Sequence, residues 1–323
     1  MKLQNMRVTY VDIAKGLSMI MIVRIHTECA YEMSLPYPII AVPFFFFLSG
    51  FFDKSERPWR MWLKKNAYSL LVPAFIWSLL TWIFVSLLSF CKNGYLEKFE
   101  IPYSISLPFI GNGVTWFLVA LFWAKVLVGL FERLFSKNIR FRKWLMYICV
   151  VSLCWGLAGI DLPLMIDEGL AALPFYLLGK NLYPKTKQIC ANNIIAITCV
   201  LLSFVMLCSL FPAAVISYNT KCYSILLYPL FCFIIICSFF PMLRLSMFWE
   251  RCTWLSEFGQ HTLGILVIHP LFLHLSAVVL NRIFVRGTAE WFCGFITAFI
   301  VTIIASYYFA KLISAKFPFL LGK

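Results

Sequence analysis

Three polar residues interrupt an apolar stretch near the start of the chain: Asp12, Lys15 and His26, within "YVDIAKGLSMIMIVRIH". On a helix advancing about 100° per residue, Lys15 and His26 fall within about 20° of one another and about 16 Å apart along the axis. Asp12 precedes Lys15 by three residues and shares its face, where the two can pair. A neutral imidazole takes a proton from a hydroxyl near physiological pH, and an ammonium in a low-dielectric setting attracts an anion. A base and an anion holder on one seam suit a reaction of an alcohol with a donor whose negative charge lies well away from its reacting atom. Two plainer readings stand beside this one. Lys15 snorkels to lipid headgroups while His26 packs between helices, and Arg24 pairs with Glu28 at i,i+4 on the other side of the same helix.

The elements that must hold these residues are membrane helices. The chain is 62% hydrophobic and only 13% charged, with a mean hydropathy of +0.86, more apolar surface than one water-soluble core could hide. Its apolar runs approach the roughly 20 residues of a membrane helix, whereas barrel strands are about ten residues long with alternating polarity. The expected fold is an all-α polytopic bundle of about ten helices, at 11–31, 36–52, 66–90, 105–131, 144–160, 165–180, 192–212, 222–242, 262–281 and 291–313. Pro43 interrupts the short second run, and Pro102, Pro108, Gly111 and Gly113 crowd the approach to the fourth, a composition that suits a re-entrant segment.

With the N-terminus inside, twenty of the 28 Lys and Arg fall on inner segments and five on outer ones, while Lys15, Arg24 and Lys125 lie within spans. This places both termini in the cytoplasm and explains the net charge of +14 without nucleic acid. The twelve cysteines are scattered through apolar runs without a C-x-x-C pair or ligand spacing, so they read as small buried residues, and no metal is expected. The first run lacks a small-residue cleavage site and reads as a retained span. No soluble domain or repeat divides the chain, so residues 1–323 form a single integral-membrane domain.

The first span resembles that of the integral-membrane acyltransferase 3 family, particularly its fucose 4-O-acetyltransferase-like members, which carry Asp, then Arg or Lys, then histidine at these intervals. The likeness continues through "VPFFFFLSGFF" from Val42, "WFLVALF" from Trp116, "LPFYLLGKNL" from Leu173 and "FGQHTLGILVIHPLF" from Phe258, in the family's order. Ile25 stands where many members have glycine. Ahead of the third span, where many have two arginines three apart, Lys65 matches the first position and Tyr68 replaces the second. Arg57 and Arg60 supply such a pair slightly earlier.

The resemblance implies a multi-pass enzyme of the bacterial cytoplasmic (inner) membrane that passes an acyl group, acetyl being the expected one, from acyl-CoA to a hydroxyl of a cell-envelope glycan or lipid-linked sugar. The bilayer, acyl-CoA and that acceptor are its partners. His26 is the expected catalytic residue, as a base or a transient acyl carrier. Lys15, Asp12, Arg57, Arg60 and Lys65 are expected to hold the CoA phosphates. Ser49, Trp116, His269, Asp167 and Glu168 are candidates for contact with substrate, His269 because Pro270 distorts its helix. His261 and His274 are expected to stand apart from the chemistry. The rival reading is a transporter or exporter of a polysaccharide precursor or small metabolite, since buried charges and broken helices also mark carriers. A third is a membrane partner in polysaccharide assembly without turnover of its own. No H-E-x-x-H, Walker loop, dinucleotide fingerprint or G-x-S-x-G elbow offers another chemistry.

Overall fold

The computed structural model describes residues 8–27, 38–53, 58–94, 113–135, 162–195, 197–201 and 228–323. Their regular structure is helical: α1 Thr9–Ile25, α2 Pro38–Gly50, α3 Trp59–Asn93, α4 Trp116–Phe135, α5 Ile166–Leu182, the short α6 Thr186–Ala191, α7 Tyr228–Phe248, α8 Thr253–Gln260, α9 Thr262–Ile283 and α10 Ala289–Lys316. Among the described residues, four helical stretches are long and apolar enough to cross a bilayer: Trp59–Cys91, Gly113–Leu134, Thr262–Ile283 and Ala289–Lys316. The expected span at 144–160 lies outside the described residues, as does most of the one at 192–212.

Helix ends follow local chemistry. α3 stops at Gly94, whose φ of 75° lets its N–H reach back to the Phe90 carbonyl. α10 starts at Thr288, whose hydroxyl accepts from the Trp291 N–H at 3.3 Å. Two boundaries differ from the hydropathy reading. α3 begins at Trp59, so Arg60, Lys64 and Lys65 stand on helical turns and not in a loop. α2 ends at Gly50, two residues before the apolar run does, and its described part is the 13 residues Pro38–Gly50.

That short helix is the centre of the packing. Phe44, Phe46 and Phe47 are fully buried, with Phe44 and Phe47 against Phe239 of α7 (centroids 5.2 and 4.9 Å) and Phe46 edge-on to Phe117 of α4 at 4.9 Å. The two glycines of the sequence motifs let backbones touch. A methyl on Gly50 would fall on the Tyr176 carbonyl of α5, and one on Gly179 of α5 would fall on the Phe47 carbonyl. α8 lies against α1 in the same way: a side chain on Gly259 would overlap the Asp12 carbonyl. At the same end of the bundle Lys180 of α5 bonds Asp53, just after α2, at 2.6 Å and Glu132 of α4 at 2.5 Å. Lys311 of α10 bonds Glu257 of α8 at 2.6 Å, which holds that carboxyl below its usual range. The outer faces of α3 and α10 stay apolar and exposed, with Phe75, Leu79, Ile83 and Leu87 on one and Ile296, Ile300, Ile304 and Tyr308 on the other, as lipid-facing helices require.

Candidate functional site

One stripe of α1 carries the site. Asp12, Lys15, Met19 and Ile22 line a cavity of about 260 Å³, and His26 lies one turn further along the same face. Lys15 pairs with Asp12 at 3.6 Å, and its ammonium sits 5.1 Å from the centre of the Phe52 ring. Ser49 of α2, Leu70 of α3, Leu121 of α4 and Gly264 of α9 form the other walls. The segment after α10 closes one side. It makes a 3₁₀ turn at Pro318–Leu321, the Trp77 indole N–H donates to the Leu320 carbonyl at 3.0 Å, and Leu321 and Lys323 reach the cavity.

A second cavity, of about 310 Å³, lies further along α1. Ile22 of α1, Leu266 of α9 and Phe117 of α4 line the first cavity, while His26, Pro270 and Val114, each within about a turn of them in sequence, line the second. The histidine thus stands on the wall of the second cavity, one turn beyond the wall of the first. α1 is closed there by Thr27, whose hydroxyl donates to the Arg24 carbonyl at 2.7 Å. Pro270, Leu273, His274 and Ala277 present one face of α9 to this second cavity, and Phe295 of α10 completes the wall.

His269 stands beside His26, with ring centroids 5.4 Å apart and planes tilted by 39°. It is fully buried, and its Nδ1 lies 3.0 Å from the Ile265 carbonyl. A carbonyl only accepts, so Nδ1 carries the hydrogen and Nε2 of the neutral ring holds a lone pair. That Nε2 is buried without a hydrogen-bond partner among the described residues. A buried acceptor left unbonded carries a desolvation penalty of about 1–3 kcal/mol, a strain that structures keep where chemistry uses it.

The structure gathers some of the sequence-predicted residues and separates others. Asp12, Lys15 and Ser49 meet at the first cavity, and His26, on the wall of the second, meets His269 behind it. Arg60 and Lys65 are exposed on the first turns of α3 and line neither cavity, while Arg57 and Glu28 lie outside the described residues. Trp116 follows the turn Gly113–Thr115, whose Gly113 and Val114 face the second cavity, but is not itself on that wall. Asp167 and Glu168 are buried in the first turn of α5, where negative charge meets the helix dipole, and lie on neither cavity wall. Against expectation, His261 lines the first cavity and His274 the second. Among the described residues no three His, Cys, Asp or Glu converge as a metal site would need.

A family model described as an acyltransferase domain, the acyltransferase 3 type, matches residues 8–311. No curated protein and no solved structure matches the chain.

Proposed function

The chain belongs to the acyltransferase 3 family of membrane acyltransferases, and we propose that it transfers an acetyl group from acyl-CoA to a sugar hydroxyl of a glycan or lipid-linked saccharide, in the manner of fucose 4-O-acetyltransferases. The observation that carries this reading is His26 between two cavities, one turn beyond the wall of the cavity that holds Lys15 and on the wall of another that holds no lysine or arginine among the described residues.

The Lys15 cavity takes the donor. Its phosphates rest at the Lys15 end, and the pantetheine arm runs along Met19 and Ile22 to bring the thioester to His26, about 16 Å further on. The charge asymmetry of the connections supports a mouth on the cytoplasmic side of a bacterial inner membrane, where acyl-CoA is made. The acceptor enters the second cavity from the opposite side, where His274 and Thr27 offer polar contacts.

Beside His26 the acceptor oxygen attacks the thioester carbonyl carbon, and the unprotonated imidazole nitrogen takes the hydroxyl proton. A C–O bond forms and the C–S bond breaks. The imidazolium returns its proton to the departing thiolate, leaving an acetyl ester and free CoA thiol. His269 acts as a positioning residue. Its own hydrogen is committed to Ile265 and its Nε2 is unbonded among the described residues, so a turn of the adjacent His26 ring that brings an N–H onto that Nε2 leaves the other His26 nitrogen free to act as base.

The test is to supply acetyl-CoA labelled in the acetyl group to inverted membrane vesicles containing the protein, and to follow label into the glycan fraction. Stable ester label that depends on the protein is the expected result. Vesicles that accumulate an unmodified precursor without incorporating label would overturn the reading in favour of a transporter.

A further inference from the structure

Lys125 is a charged residue in the interior of α4, and the reaction just described does not use it. It belongs to the four-helix set that is apolar enough to cross a bilayer, where an ammonium needs a reason to be kept. Its one hydrogen bond among the described residues goes to a neutral group, the Asn66 side-chain oxygen of α3, at 3.2 Å. Asn66 is itself fixed, its amide nitrogen donating to the Trp62 carbonyl at 2.9 Å. The carboxylate whose field reaches Lys125 is Asp53, and Asp53 is bonded at 2.6 Å to Lys180. An ammonium has three hydrogens to donate, so the arrangement leaves donor capacity on a charge that no carboxylate bonds directly among the described residues.

Position gives that charge a purpose. Leu70 of α3 and Leu121 of α4 are on the wall of the Lys15 cavity. Asn66 and Lys125 lie one helical turn beyond them on the same faces, both toward the Lys15 end. Lys15 and Lys65 are close enough to act electrostatically on Lys125. Lys15 lines the cavity and Lys65 stands exposed on the first turns of α3, and cations gathered near one cavity suit a ligand that carries several phosphate groups. The geometry points to Lys125, oriented by Asn66, as a second anchor for the phosphates of the donor, beside Lys15 at the mouth of the first cavity. This rests on acyl-CoA being the donor.

Purified protein in lipid nanodiscs is titrated calorimetrically with CoA and with adenosine 3′,5′-bisphosphate, which carries phosphates but no pantetheine arm. Lys125→Met weakens both by about tenfold, the loss of one charge-assisted hydrogen bond, and flattens the dependence of affinity on salt. In turnover the loss appears in the donor KM and not in kcat. Asn66→Asp keeps the size and the acceptor toward Lys125, gives up the amide donor to the Trp62 carbonyl, and places a carboxylate on the ammonium. It weakens CoA by a similar factor even if Lys125→Met does not fold. CoA affinity unchanged in either folded variant, with wild type binding normally, overturns the assignment of Lys125 and leaves the acyl-CoA reading standing. Wild-type protein that binds neither probe removes both.

Discussion

The two ends of α1 are built differently. Around Asp12 and Lys15 the helix is held by backbone contact, with Gly259 of α8 pressed on the Asp12 carbonyl, and its neighbours there include Lys125 and Lys323. Around His26 the helix stops at a threonine cap and the neighbours are His269 and His274, histidines from another helix. In the reaction proposed, cations at one end would hold charge in the ground state and the transition state alike, which lowers KM, and imidazoles at the other would move protons only as bonds change, which raises kcat. Substitutions along the stripe should therefore split by end: those near Lys15 change donor affinity and those near His26 change turnover.

The largest effect is expected for His26→Ala. Loss of a general base lowers the rate by about 10² to 10⁴, while CoA still binds, because its phosphates are held a cavity length away. Single-turnover rates and CoA titration on the same preparation separate the two. Binding lost together with turnover would mean the two ends are not independent. Next comes Lys15→Met, which weakens CoA by about 10- to 100-fold, as expected for a charge-assisted hydrogen bond, with kcat near wild type. A fall in kcat at saturating donor would move Lys15 to the reacting end. His269→Asn keeps a polar group but not the ring acceptor, and kcat drops by about tenfold, one hydrogen bond's worth, at unchanged donor KM. Wild-type kcat in that variant would reduce the pair to packing. Smallest is His274→Ala, for which the acceptor KM rises by about fivefold, roughly the net value of one hydrogen bond, while the donor KM stays put. An unchanged acceptor KM would return His274 to the role of bystander.

The spacing of Asp12, Lys15 and His26 made the α1 stripe readable before any tertiary structure, because one helix alone puts them on one face. His269 as the neighbour of His26 was not readable in that way, since it depends on how α9 crosses α1, and the hydropathy of neither helix encodes a crossing. Lys125 was visible as a charge within a span, but its partner Asn66 stands 59 residues earlier on another helix and carried no charge to give it away. The start of α3 was missed because Arg60, Lys64 and Lys65 end the apolar run without ending the helix, and both residue types form helices well. The 3₁₀ turn at Pro318–Leu321 reads as an apolar end until Trp77 is seen to hold it by its Leu320 carbonyl. Asp167 and Glu168 drew attention for their charge, yet their placement in the first turn of α5 is what the helix dipole alone would favour.

The close fit of α2 to α5 has a consequence for how the protein is made. Gly50 of α2 and Gly179 of α5 bring the two backbones into contact. The ion pair that ties the two ends together joins residues 127 positions apart. During synthesis α2 leaves the ribosome long before its partner exists, so it must wait beside α1 in a provisional arrangement until α5 arrives. Completion of the bundle is therefore a late event in biogenesis, and a nascent chain arrested before Gly179 holds the α1 stripe before α2 has its backbone partner.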